Sequence, residues 1–321
     1  MTINSAHHSG WRKQMADDFF LGFDGGGTKT TAILIDSSGR ERARAVSGPS
    51  NPLRVGFDGA FEALTFAARE TLRVAGIGPG QVRGVCAGLA GAGRRSVVNL
   101  IEPFFKKLFP QAVVHVMADF SIALEAATGG GPGVVLIAGT GSCAFGRGLD
   151  GSFARAGGYG PWIGDEGSAY SIGRQAVSAV LHARDALALP TALEERILPA
   201  LNLPDLDQLT ERIAKNPDDV FPDLFPVVVC AADEGDEVAR EIFFTAAAAL
   251  GRMAGSVILR LGLKKERFPL VKTGGVFGHS AHLEAKLGAM LANFAPAAVV
   301  SDLPDSPALG AARLALRLAA R

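Results

Sequence analysis

Cysteine is scarce in this chain of 321 residues: Cys86, Cys143 and Cys230 stand far apart and are odd in number. They form no disulfide framework and no CxxC metal clip, which points to a reducing, cytoplasmic setting. Charge of one sign is lacking too. The chain holds 32 Lys+Arg against 32 Asp+Glu, a formal net charge of +0, so the broad basic field of a nucleic-acid binder is missing. No uncharged apolar run reaches the ~18 residues that a membrane-spanning helix needs. The nearest stretch, around Thr245 to Leu263, is cut by Arg252 and Arg260. The leader, residues 1–18, has no apolar core and reads as a disordered polar tail, not a secretory signal. A Walker-type GxxxxGK[ST] loop is also missing.

Glycine is abundant. Its 40 residues are one in eight, against a usual ~7%, and they cluster without a Gly-X-Y period. With 48% hydrophobic residues, the chain has core material for two α/β domains.

Phe19 to Asp24, Thr31 to Ile35 and Arg42 to Val46 read as three strands joined by tight turns. A helix over about Gly56 to Ala75 follows, then a strand at Val82 to Ala87. Arg94 to Leu108 is helical, with Pro103 as a possible new start; Ala112 to Met117 is a strand and Phe120 to Ala127 a helix. After the Gly129 to Gly133 hinge the pattern restarts, with strands from Val134, Cys143 and Ser152. Helix-rich sequence follows, then strands at Phe268 to Thr273 and Ala297 to Val300 and a helix from Pro307 to Leu318. This repeat of topology predicts two similar α/β lobes with a cleft between them: 19–128 plus 301–321, and 129–300.

Asp24-Gly25-Gly26-Gly27-Thr28-Lys29-Thr30 joins two strands. Bare glycine backbone lets N–H groups approach an anion; Thr28 and Thr30 add hydroxyls and Lys29 a cation. Asp24 beside a phosphate makes sense with a metal ion or its waters between them. Thr140, Gly141 and Ser142 follow Gly139 in a second such loop. Gly274, Gly275 and Gly278 sit between a strand and a helix, where an adenosine can lie on bare backbone. Asp119 at a strand end reads either as a helix cap or as a carboxylate projecting into a cleft. The segment Gly157 to Ser168 reads either as a capped helix start, through Asp165 or Ser168, or as a sugar site of carboxylate and aromatic. Ser47 to Pro52 reads as a turn, and Arg54 as a surface residue.

The ordered loops, with linkers at Val85 to Gly91 and Ala308 to Ala312, resemble the sugar kinase, heat-shock chaperone and actin superfamily. The GGYG…GDEGSAY stretch resembles its N-acetylglucosamine kinase branch, which includes activator ATPases of acyl-CoA dehydratases. The resemblance covers about Phe20 to Leu316. It implies two ribonuclease-H-like lobes of the actin-like ATPase fold. It also implies ATP and Mg²⁺ as cofactors, Asp24 holding the metal through water, and phosphoryl transfer to the 6-hydroxyl of N-acetylglucosamine. Asp119 is then the base; Asn51, Gly158, Tyr159, Gly160 and Asp165 join it around the sugar, with Tyr159 where the family has Trp. Glucosamine and N-acetylmuramic acid are alternative substrates, and a dehydratase activator is the alternative of another class. The expected partner is an amino sugar, with neither nucleic acid nor membrane, and the apolar second lobe suits a homodimer.

Overall fold

The computed structural model describes residues 18–320. The leader expectation therefore falls outside it, except for Asp18, whose carboxylate accepts from the Arg83 guanidinium at 2.8 Å. The described chain divides into two units: the part up to Gly130 with the segment from Leu303 on, and Gly131–Asp302.

In chain order the first unit begins with β1 (Phe19–Gly25), β2 (Thr30–Asp36), β3 (Glu41–Ser47) and α1 (Pro52–Ala75). It continues with β4 (Val82–Leu89), α2 (Arg95–Leu108), β5 (Val113–Ala118) and α3 (Asp119–Thr128). The second contains β6 (Gly133–Ala138), β7 (Ser142–Arg147), β8 (Phe153–Gly157), α4 (Ala169–Arg184), α5 (Leu193–Ala200), α6 (Leu206–Lys215), α7 (Phe225–Asp233), α8 (Glu237–Arg260), β9 (Pro269–Thr273), α9 (Ala281–Phe294) and β10 (Val299–Asp302). The closing helix, α10 (Pro307–Ala319), returns to the first unit.

The sheet orders are β3-β2-β1-β4-β5 and β8-β7-β6-β9-β10. Each is an antiparallel meander continued by two parallel strands. The repeat is thus one of pairing as well as of order. The central strands β1 and β4 are buried almost throughout and read as near-continuous apolar runs. The edge strand β3 alternates exposed and buried residues, the pattern of a sheet face half in water.

Three local outcomes differ from the sequence reading. Helix α1 starts at Pro52, because the Asn51 side chain caps it, and it breaks at Gly56 (φ 72°, ψ 170°) before continuing. Helix α2 runs through Pro103 without a new start; Val97, Ile101 and Phe105 bury one stripe on both sides of the proline and hold the helix in register. Helix α8 is, by length and composition, apolar enough to cross a membrane, with a mean hydropathy of 1.7 in its best window. Yet 67% of that window is buried, through Ile242, Phe243, Ala246, Ala247, Leu250 and Ala254 among others. Its apolarity belongs to the core of the second unit.

Candidate active site

In the first unit the carboxyl ends of β1, β4 and β5 are level. Gly25 pairs with Leu89, and Leu89 with Ala118, so Asp119 is the first residue beyond the sheet end. Such ends are where α/β sheets present their ligand-binding groups. Gly88, on the strand between β1 and β5, is crowded: a Cβ there would lie 2.3 Å from Ile122 Cγ1. Helix α3 therefore packs close on the sheet, with Asp119 at its start. Asp119 is not the cap, since Ala118 holds that position; its Oδ1 accepts from the Phe120 N–H at 2.9 Å. Burial pushes the Asp119 carboxyl above the ordinary range. Burial first and the charge of Asp119 second push Asp24 up to about 6, with Lys29 pulling it down. Two carboxylates that resist ionising together are the donor set that a divalent cation relieves.

The Gly25–Lys29 loop is built for close approach. A Cβ at Gly25 would meet Ser50 Oγ at 2.2 Å. The Gly26 carbonyl accepts from the N–H groups of Ser50 and Asn51 at 3.0 and 3.1 Å. Two of the predicted phosphate donors are engaged inside the hairpin instead. The Gly26 N–H donates to the Lys29 carbonyl at 2.9 Å. Thr30 is fully buried, its hydroxyl 2.8 Å from the Gly48 carbonyl and 2.7 Å from Ser50 Oγ, because strand alternation turns it inward. Gly27, Thr28 and Lys29 remain at the tip, and Thr28 and Lys29 are exposed. Asn51 uses its Oδ1 to accept from the Leu53 N–H at 3.0 Å, which leaves the amide end to donate. Arg54 is exposed, as expected, yet it lies over the loop: a Cβ at Gly27 would be 3.4 Å from its guanidinium. The sequence signal for it was its place three residues past Asn51, on the first helical turn.

In the second unit the loop between β6 and β7 adjoins the one after β9. Gly274 has φ 111°, and a Cβ on it would stand 2.2 Å from the Ala138 carbonyl oxygen, so only glycine fits. The Val276 N–H donates to that same oxygen at 3.0 Å. Gly275 has open space above it. Two residues that the sequence reading missed hold this loop: Glu284 accepts from the Gly278 N–H at 3.0 Å through Oε1 and from Lys272 Nζ at 2.6 Å through Oε2. Thr140 is exposed. Ser142 is buried, and its hydroxyl donates to the Glu166 carbonyl at 2.8 Å.

Asp165 has a left-handed backbone (φ 62°) and is 7% exposed. Burial raises the pKa of its carboxyl, and a Cβ at Gly141 would stand 2.8 Å from its Oδ2. The resemblance assigns it to sugar hydroxyls. The helix cap of α4 is Ser168, which accepts from the Ser171 N–H. Gly157, Gly158 and Gly160 all have positive φ, and Tyr159 stands out 59% exposed with the Arg155 guanidinium 4.9 Å from its ring centroid. Trp162 and Ile163, each 78% exposed on the same loop, were not singled out from the sequence.

Two ribonuclease-H-like sheets of the same order, with glycine loops at the carboxyl ends of their parallel strands, define an actin-like ATPase fold. The chain belongs to the BadF/BadG/BcrA/BcrD ATPase family, which it matches over residues 21–315. It is 34% identical over 316 residues to the N-acetyl-D-glucosamine kinase of Dictyostelium discoideum, spanning 94% of this chain and 99% of that one. To the N-acetylmuramic acid/N-acetylglucosamine kinase of Clostridium acetobutylicum it is 30% identical, spanning 92% and 98%. The crystal structure of a candidate N-acetylglucosamine kinase from Chromobacterium violaceum superposes with a TM-score of 0.73 at 26% identity, covering 93% of this chain and 99% of that one.

Proposed function

We propose that this protein is an ATP-dependent kinase that transfers the γ-phosphoryl group of ATP to the 6-hydroxyl of N-acetylglucosamine, giving N-acetylglucosamine 6-phosphate. The observation that carries the reading is Asp119, a half-buried carboxylate at the sheet end, close enough to Asp24 to raise its pKa. Its support from relatives is their length: curated amino-sugar kinases match along nearly the whole chain.

Phosphoryl transfer asks the protein for positioning, charge neutralisation and a base. Asp119, when ionised, accepts the proton of the sugar 6-hydroxyl as its oxygen attacks phosphorus. Asn51, through its amide N–H, and Gly158, Tyr159 and Gly160 orient the sugar, the Tyr159 ring packing on an apolar face. The phosphates are assigned to Gly27, Thr28, Lys29, Thr140 and Gly141, with Arg54 as an added cation, and the adenosine to Gly274, Gly275 and Gly278. Asp24 suits Mg²⁺ through its waters; the ion would supply charge neutralisation on the phosphates.

The test is a coupled ADP-release assay with N-acetylglucosamine, glucosamine, N-acetylmuramic acid and N-acetylmannosamine. N-acetylglucosamine is expected to give the highest kcat/KM. Asp119→Asn is expected to lower kcat by at least ~10³-fold while nucleotide binding persists. Turnover of that variant within ten-fold of wild type would remove Asp119 from its role.

A further inference from the structure

The Gly274–Gly278 loop is fastened at both ends, by different means. At its front the fastening is backbone: Gly274 abuts the Ala138 carbonyl oxygen, which accepts from the Val276 N–H at 3.0 Å. At its rear it is a side chain. Glu284, in the first turn of α9, reaches back past the start of its own helix, and its Oε1 accepts from the Gly278 N–H at 3.0 Å. The helix does not need a cap from it, since Ser280 already accepts from the Leu283 N–H at 3.3 Å. Glu284 Oε2 accepts from Lys272 Nζ at 2.6 Å. That ammonium also stands 3.3 Å from Asp302 Oδ1 and 5.3 Å from the centroid of the Phe277 ring, which belongs to the loop. Lys272 and Asp302 are register partners on β9 and β10, so one cluster of charges ties the loop to two neighbouring strands.

We infer that Glu284, braced by Lys272, is a positioning residue for the nucleotide: it fixes the rear of the Gly274–Gly278 loop, so that an adenosine meets backbone already in place. The inference rests on the kinase reading, in which this loop takes the adenosine. Gly275 and Gly278 have open space where a Cβ would stand, which is the face an adenosine can use. Gly278 has φ 80°, and a glycine has more backbone freedom to lose than any other residue. A carboxylate holds its N–H more strongly than a neutral acceptor would. Without that bond, the cost of ordering the loop falls on nucleotide binding. Glu284 and Lys272 are assigned to neither phosphate nor sugar, so their effect is confined to the nucleotide.

The test compares Glu284→Ala with the wild type by calorimetry with ADP and Mg²⁺, and by turnover with ATP and N-acetylglucosamine varied separately. ADP affinity is expected to fall, and the KM for ATP to rise, by about ten-fold, the size of one lost hydrogen bond to a charged group. The sugar KM, and kcat at saturating ATP, are expected to stay within about two-fold of the wild type. Lys272→Met keeps an apolar stem beside Phe277 and removes the cation. It is expected to show the same selective loss to a smaller degree, and it supplies the readout if Glu284→Ala does not fold. An unchanged ADP affinity in the folded variants overturns the inference and leaves the kinase reading intact. A fall in kcat and a rise in sugar KM as large as the nucleotide effect also overturn it, because a merely structural role would spread the damage. A wild type that binds ADP but phosphorylates none of the sugars overturns the kinase reading instead, and ADP calorimetry on the two variants still decides the role of Glu284.

Discussion

Burial and the neighbouring Asp119 hold the Asp24 carboxyl at about 6, above its ordinary value of 3.8. The folded chain therefore binds this proton more tightly than the unfolded chain does. Stability is greatest below the unfolded value and falls as pH rises to about 6, where the folded group has ionised; above that the penalty is constant. Two pKa units correspond to about 3 kcal/mol, and with partial solvent access about 2 kcal/mol is the expectation. Asp24→Asn should thus stabilise the ligand-free protein by about that amount at pH 8 and by almost nothing at pH 3.5, while kinase turnover falls. Denaturant titrations at the two pH values check it, and an equal effect at both would contradict the assignment. Asp24 stands out in the sequence because an acid beside a glycine run has few structural uses, whereas Asp119 reads equally as a helix cap without the family resemblance. Thr30 and Ser142 turn their hydroxyls to protein partners, and a hydroxyl that binds phosphate and one that pins a loop have the same sequence signature. Only the side of the strand they face tells them apart.

Among the elements, α10 shows how little room separates packing from failure. A Cβ on Gly22, in the middle of β1, would lie 2.1 Å from the Ala308 carbonyl oxygen and 2.2 Å from the Ala312 nitrogen. At Gly310 it would lie 2.6 Å from Ala126 Cβ. Helix α10 thus rests on the sheet and on α3 with backbone nearly touching backbone, and Arg317 pairs with the buried Glu125 across the same seam. Neither backbone can yield as a side chain would. Gly22→Ala is expected to cost at least about 2 kcal/mol, read as a lower Tm of the ligand-free protein; a Tm within 1 °C of wild type, about the precision of such a scan, would refute the tight seam. The strands and most helices were legible from apolar runs and turn residues. The start of α1, the continuity of α2 and these two packing glycines were not. A cap, a tolerated proline and a missing side chain take their meaning from a partner distant in sequence.

At the scale of the whole molecule, the net charge of +0 gives no broad basic field, so the kinase reading asks local groups to bind the phosphates. Ligands that bind only the folded chain stabilise it by mass action, about 2.7 kcal/mol at a hundred times Kd. ADP with Mg²⁺, and N-acetylglucosamine, should therefore each raise Tm. A Tm that neither ligand moves in differential scanning calorimetry would contradict the kinase reading. The sequence by itself determined the duplicated α/β plan and the position of every glycine loop, because strand periodicity and glycine's backbone freedom are local properties. Tertiary structure alone decided which members of those loops bond to their own backbone. The partners of Thr30, Ser142 and Gly26 lie up to 25 positions away, as Asn51 does from Gly26, and no local pattern records such a partner.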